Sequence, residues 1–71
     1  MTTGALVVVS VPGADVAVMQ AALGRQGARR VEVRHTGSNY MLVCGQFADA
    51  MTVHRVVMEL RRQGWAAAAP Y

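Results

Sequence analysis

The chain has 71 residues, of which 54% are hydrophobic, and it carries seven arginines, no lysine and a formal net charge of +3. This length and composition predict a single domain, residues 1–71, with a packed core, and they argue against disorder. A single cysteine excludes an internal disulfide framework and a cysteine-based metal cage, and no apolar run is long enough to span a membrane.

The first half of the chain predicts a strand, a helix and a second strand. The β-branched run from Ala5 to Val11 is typical of a strand that is buried on both faces or nearly so. Asp15 then stands at the start of a helix that ends at Gly27. The apolar stripe of this helix contains Val16, Met19 and Leu23. Alternating valines around residue 32 predict a half-buried strand, followed by a hairpin turn over residues 36–39.

The second half repeats this order of elements. Tyr40 to Cys44 is predicted as the returning strand of the hairpin, with Gly45 in a tight corner after it. Asp49 is expected to cap a second helix, which Gly64 ends. The buried stripe of this helix contains Val53, Val56, Val57 and Leu60. A short last strand is predicted from Trp65 to Ala69.

The two halves also match each other in sequence, because Arg25-Gln26-Gly27 recurs as Arg62-Gln63-Gly64. Two β-α-β halves in tandem, joined with right-handed crossovers, form a four-stranded antiparallel sheet with both helices on one face. The sequence therefore predicts an α+β, ferredoxin-like β-α-β-β-α-β fold with an internal pseudo-repeat.

Such a fold leaves the other face of the sheet without helices. The strand phase suggested by the duplication turns Tyr40, Leu42 and Cys44 toward the helices. The residues predicted on the open face are Leu6, Val8, Met41 and Val43, with Arg34 on the edge strand beside them. An uncovered strip of aliphatic side chains is typical of an interaction surface, so this face is predicted to form a homodimer or to hold a ligand.

The stretch from Tyr40 to Ala67 resembles the second half of the sporulation-related repeat (SPOR) domain. That family has a strand ending Val-Gly-x-Phe, an alanine-rich helix with a terminal Leu-Arg, and then Gly followed by an aromatic residue. Here Cys44-Gly45-Gln46-Phe47, Leu60-Arg61 and Gly64-Trp65 fall in the same register. The resemblance implies the same fold over the whole chain, and a non-enzymatic module that binds peptidoglycan glycan strands through the open sheet face.

Two shorter similarities imply an alternative. The Val-Pro-Gly-Ala-Asp stretch before the first helix is similar to ACT domains, and Thr36-Gly37 is similar to the ligand-binding domains of Lrp-type regulators. Both kinds of module commonly dimerise through their sheets. They imply a cytoplasmic, dimeric ligand-sensing or adaptor protein that uses its apolar sheet face for self-association or for a protein partner.

The remaining polar residues suggest no catalytic or metal site. Cys44 is expected to be a small buried hydrophobe, and His35 and His54 have no spacing typical of metal ligands. No acid pair is placed for acid-base catalysis, so the chain is predicted not to be an enzyme and to use no cofactor. Without a basic segment before its first apolar run it is expected to be cytoplasmic, or periplasmic as a fragment of an exported protein.

A basic edge is a further candidate surface. Its predicted members are Arg25, Arg29 and Arg30, which follow one another from the end of the first helix into the second strand. Such arginines either form a solvated face near a helix C-terminus or bind an acidic partner. Nucleic acid is the less favoured partner, because the stacking aromatic residues of RNA-recognition motifs are absent from strands one and three apart from Tyr40.

Overall fold

The described part of the chain forms an α+β structure with four strands and two helices. The computed structural model describes residues 5–35 and 39–70, so most of the predicted hairpin turn, residues 36–38, lies outside the described residues. The elements in chain order are β1 (Ala5–Pro12), a 3₁₀ turn (Gly13–Asp15), α1 (Val16–Arg25), β2 (Arg30–His35), β3 (Tyr40–Phe47), α2 (Ala50–Arg62) and β4 (Ala66–Ala68). No helix among these residues is both long enough and apolar enough to cross a membrane.

The sheet is antiparallel throughout, and its strand order is β2-β3-β1-β4. Strands β3 and β1 are therefore central, while the short strand β4 and the charged strand β2 form the edges. Across the centre of the sheet, Val9 lies opposite Val43 of β3 on one side and Ala67 of β4 on the other. All three side chains are buried, which identifies this face as the one that the helices cover.

The core lies between this face and the two helices. The predicted helical stripes are confirmed: Met19, Leu23 and all four predicted residues of α2 are buried, and Val16 packs at the margin of the core. The other members of the core are Val7, Val9, Val11, Val43, Phe47 and Ala67. Each fully buried aliphatic side chain contributes about 1.5–3 kcal/mol through removal of apolar surface from water, so this layer is the main source of stability.

Both helices end in the same way, as their glycines predict. Gly27 has a φ of 101° and Gly64 a φ of 96°, in the left-handed region that side chains disfavour. The residue after each glycine donates its N–H to a carbonyl in the last turn, at 3.0 Å from Ala28 to Leu23 and at 3.0 Å from Trp65 to Leu60. These bonds satisfy carbonyl groups that would otherwise have no partner at the helix ends.

The two helices begin differently. The Oδ1 atom of Asp49 accepts a hydrogen bond from the Thr52 backbone N–H at 2.8 Å, so the predicted cap of α2 is confirmed. Asp15 also precedes a helix, but it makes no side-chain capping hydrogen bond. There the chain enters α1 through the 3₁₀ turn, and Gly13 donates its N–H to the Asn39 carbonyl at 2.9 Å.

Strand β3 differs from the prediction both in its length and in which of its side chains face the helices. It continues through Gly45 to Phe47, so Gly45 lies within the strand and forms no corner. Val43 is fully buried against the helices, and Met41 lies on the same side of the strand. Placing Met41 and Val43 on the open face was therefore wrong.

The physical reason for this phase is at the far end of the strand. Residues 41–44 are all apolar, so either phase places hydrophobic side chains in the core, and the local pattern does not choose between them. Phe47, with 1% of its surface exposed, is the largest fully buried side chain of the described residues. Counting back from Phe47 in steps of two places Gly45, Val43 and Met41 on the helix side.

Candidate binding surface on the open sheet face

The sheet face opposite the helices carries alternate residues from all four strands. The cross-strand register arranges them in rows that cross the sheet from β2 toward β4. The first row contains Arg30, Gln46 and Leu6; the second contains Glu32, Cys44, Val8 and Ala68; the third contains Arg34, Leu42, Ser10 and Ala66; and the fourth contains Tyr40 of β3 and Pro12 of β1. Leu6, Val8 and Arg34 lie on this face, where they were predicted. Leu42, Cys44 and Tyr40 also lie here, although they were predicted to point toward the helices. That the face binds a partner stays a prediction.

The centre of this face is apolar. Leu6 is 38% exposed, and Val8, Leu42 and Cys44 beside it are half-buried. Together these four residues form what we call the apolar strip. Cys44 is therefore a half-buried thiol on the sheet surface, and its predicted burial in the core is wrong.

A shallow depression lies at the end of the apolar strip. It is lined by Leu6, Gln46, Arg30 and Glu32, which come from three neighbouring strands, and has a volume of about 200 Å³. Its walls combine an aliphatic surface with an amide, a guanidinium and a carboxylate. Such a combination can pack against C–H groups of a ligand while it donates and accepts hydrogen bonds.

The edge of the face along β2 carries alternating charges. The Glu32 carboxylate lies 3.1 Å from Nε of Arg30 and 3.6 Å from a terminal nitrogen of Arg34. All three side chains are at least 44% exposed, so water and salt screen these pairs and each adds about 0–1 kcal/mol. The charges discourage another strand from adding to this edge, and they leave the flat face as the accessible surface.

The predicted basic edge is divided in the structure. Arg30 belongs to the open face and pairs with Glu32. Arg25 lies in the last turn of α1, and Arg29 follows it in the connection to β2, where its backbone N–H donates to the Gln46 carbonyl at 2.7 Å. Both side chains are exposed, and neither forms an ion pair with another residue of the described part of the chain.

Polar groups occur at both ends of the apolar strip. Gln46 lies at one end, and Ser10 and the 49% exposed Tyr40 lie toward the other. The sequence pattern missed Tyr40 and Gln46 as surface groups because the phase of β3 was reversed. Phe47 was the signal that could have found them, since a large aromatic residue at a strand end is expected in the core.

Comparison of the chain with protein-family models, with curated proteins and with solved structures found no match. Over residues 5–35 and 39–70, no three histidine, cysteine or acidic side chains come together in a group that could hold a metal ion. The open sheet face is therefore the candidate site, and the reasons for it are its own geometry and the similarity of sequence described above.

Proposed function

We propose that the chain is a small, non-enzymatic binding module, and that its open sheet face binds the glycan strands of peptidoglycan. The observation that carries this proposal is the depression at Leu6, Gln46, Arg30 and Glu32, where an aliphatic surface meets hydrogen-bonding groups. The resemblance of Tyr40 to Ala67 to SPOR domains supports the choice of ligand class.

A ferredoxin-like assignment of the fold is part of the proposal. The antiparallel strand order β2-β3-β1-β4, with its two connecting helices, supports it. An internal pseudo-repeat is supported by the matching helix ends at Gly27 and Gly64, which share the same backbone conformation and the same pattern of hydrogen bonds.

The proposed ligand suits the chemistry of this face. A sugar ring has C–H groups that can pack against Leu6 and Val8, and hydroxyl and acetamide groups that can bond to Gln46, Arg30 and Glu32. Tyr40 lies six positions before Gln46 on the same strand, which corresponds to about 20 Å of extended chain. The polar groups are therefore spaced for an extended strand of sugars rather than for a single ring.

Co-sedimentation with purified sacculi tests the proposal, with intact walls compared against walls stripped of stem peptides. We expect the wild-type chain to pellet with stripped walls and Gln46→Ala to pellet less. Gln20→Ala is the matched control, because Gln20 is an exposed residue of α1, away from the open face. Failure of the wild type to pellet, or an equal loss in both variants, would overturn glycan binding by this face.

A second candidate function is self-association or binding of a protein partner, as in a cytoplasmic ligand-sensing or adaptor module. The observation that favours it is the apolar strip, since an aliphatic surface across the centre of a sheet is stabilised when another protein covers it. The two candidates differ in the groups they need. Glycan binding depends on the polar ends of the face, whereas a sheet-to-sheet dimer depends on its apolar centre.

A further inference from the structure

The outer face of helix α2 carries exposed methionines and arginines in alternation. Met51 is 84% exposed and Met58 is 52% exposed. With Arg55 and Arg62 they occupy positions i, i+4, i+7 and i+11 of the helix, so the four side chains follow one line along its surface. We call this line the outer stripe; it lies opposite the buried valines of α2 and takes no part in the core.

A shallow depression of about 880 Å³ lies along the same side of α2, and basic groups dominate its lining. His54 and Arg61 from α2 and Gln26 from the end of α1 flank the outer stripe there. The Nε–H of Arg61 donates to the Ala67 carbonyl at 2.8 Å, which holds this guanidinium near the surface while its charge is retained.

The acidic group within this depression is already engaged by neighbouring residues. Arg62 and Gln63 donate hydrogen bonds to the Glu59 carboxylate, at 2.6 Å and 2.8 Å respectively. Arg55 has no ion-pair partner in residues 5–35 and 39–70. Because Arg62 is paired with Glu59, Arg55 is the arginine of the outer stripe that offers its positive charge next to the exposed thioether groups of Met51 and Met58.

We propose that the outer stripe binds an acidic amphipathic helix of a partner protein. The stripe covers about 16 Å, or three helical turns, which matches the length over which two helices pack side by side. Methionine side chains adapt their shape to apolar groups of a partner, and guanidinium groups bind carboxylates in fixed, paired geometry. A helix with leucines and glutamates on one face satisfies both kinds of group.

The methionines distinguish this partner from nucleic acid. Single-stranded nucleic acids bind through phosphate contacts combined with stacking on aromatic rings, and none of the residues that line the depression is phenylalanine, tyrosine or tryptophan. A phosphate backbone would engage the arginines but would leave Met51 and Met58 in water. The surface is separate from the open sheet face, so this inference does not depend on the proposed function.

The test measures fluorescence anisotropy with a labelled peptide of about 20 residues, long enough to form a helix, with leucine on one face and glutamate beside it. A second peptide has glutamine in place of each glutamate, and an oligothymidine serves as the nucleic-acid probe. The variants are Arg55→Gln and Met58→Gln. Arg25→Gln on α1 and Leu6→Gln on the sheet are the matched controls for charge and for apolar surface.

We expect the acidic peptide to bind the wild type, and each stripe variant to weaken binding about tenfold while the controls leave it unchanged. Circular dichroism establishes that every variant is folded. The inference is overturned if the acidic peptide does not bind, if the glutamine peptide binds as well, or if Arg25→Gln weakens binding as much as Arg55→Gln. Tighter binding of oligothymidine would instead assign the surface to nucleic acid.

Discussion

Gly45 on strand β3 lies directly against Leu23 on helix α1, and a side chain at residue 45 fits between them only if a neighbouring side chain shifts. A Cβ atom placed on Gly45 would lie 3.2 Å from Cδ1 of Leu23 and 3.1 Å from Cε1 of Phe47. Both of these side chains are at most 1% exposed, so neither can move away without disturbing its neighbours in the core. The helix therefore packs closely on the sheet because residue 45 is glycine.

Replacing Gly45 with alanine should destabilise the protein. We expect the free energy of unfolding to fall by about 1–2 kcal/mol, because overpacking the core outweighs the smaller entropy of the unfolded alanine chain. Gly24→Ala is the matched control: Gly24 lies in α1 with no atom within 4 Å of its added Cβ. That change should raise stability by about 0.5–1 kcal/mol. Urea unfolding measures the free energy of unfolding of both variants. Equal changes in Gly45→Ala and Gly24→Ala would contradict the close packing of Gly45 against Leu23.

Truncation of neighbouring residues in β3 tests the phase of the strand. Val43→Ala should lower the free energy of unfolding by about 2 kcal/mol, because Val43 is fully buried in the core. Leu42→Ala should cost less than about 1 kcal/mol, since Leu42 lies on the open face and is only half-buried. If urea unfolding gave the larger loss for Leu42→Ala, the phase would be the one first predicted from sequence.

The cap of α2 predicts a stability loss in acid. The Thr52 backbone N–H that bonds to the Asp49 carboxylate lowers the pKa of Asp49 below its ordinary value of 3.8. The ionised Asp49 carboxylate therefore contributes fully to the free energy of unfolding above pH 3.8. This contribution disappears as the pH falls through the lower pKa that Asp49 has in the folded state. Asp49→Asn should keep the cap but show a smaller loss of stability between pH 5 and 2, about the range over which carboxylates titrate.

Thermal unfolding over this pH range measures the effect. Asp49→Ala is the companion variant, because it removes the cap at every pH and should lower the melting temperature even at pH 7. Protonation of Glu59 in acid also lowers the stability, since the hydrogen bond from Arg62 lowers the pKa of Glu59 in the folded state as well. Acid unfolding should therefore weaken in Asp49→Asn without vanishing. An unchanged profile would show that the Asp49 carboxylate has no role in it.

Self-association through the open face can be tested with the single cysteine of the chain. Cys44 lies within the apolar strip, so a short bismaleimide should join two copies covalently if they pack face to face. Val8→Asp should abolish the crosslinked dimer by placing a charge in the strip. Met51→Asp, on the outer face of α2, is the control and should crosslink normally. A wild type that keeps the monomer mass in solution and does not crosslink would exclude this dimer.

Local chemistry in the sequence was sufficient for the two helices, for both of their C-terminal ends and for the cap of α2. Gly27 and Gly64 close the two helices just after their last turns, because the left-handed conformation that they adopt is readily available only to glycine. Asp49 caps α2 through an oxygen that reaches a backbone N–H three residues later. The helical stripes were predictable for the same kind of reason, since apolar residues at the helical period can bury only one face.

Long-range packing decided which residues form the candidate site. In residues 41–44 every side chain is apolar, so no local pattern chooses the face to which Val43 or Cys44 points. The choice depends on contacts between distant parts of the chain: Phe47 must be buried, and Leu23 of α1 needs the space that Gly45 leaves. Burial of Phe47 removes an aromatic side chain from water, whereas the alternative phase would turn the polar side chain of Gln46 toward the core in its place. Burial of Phe47 thereby places Val43 in the core, and it places Leu42, Cys44 and Gln46 on the open face.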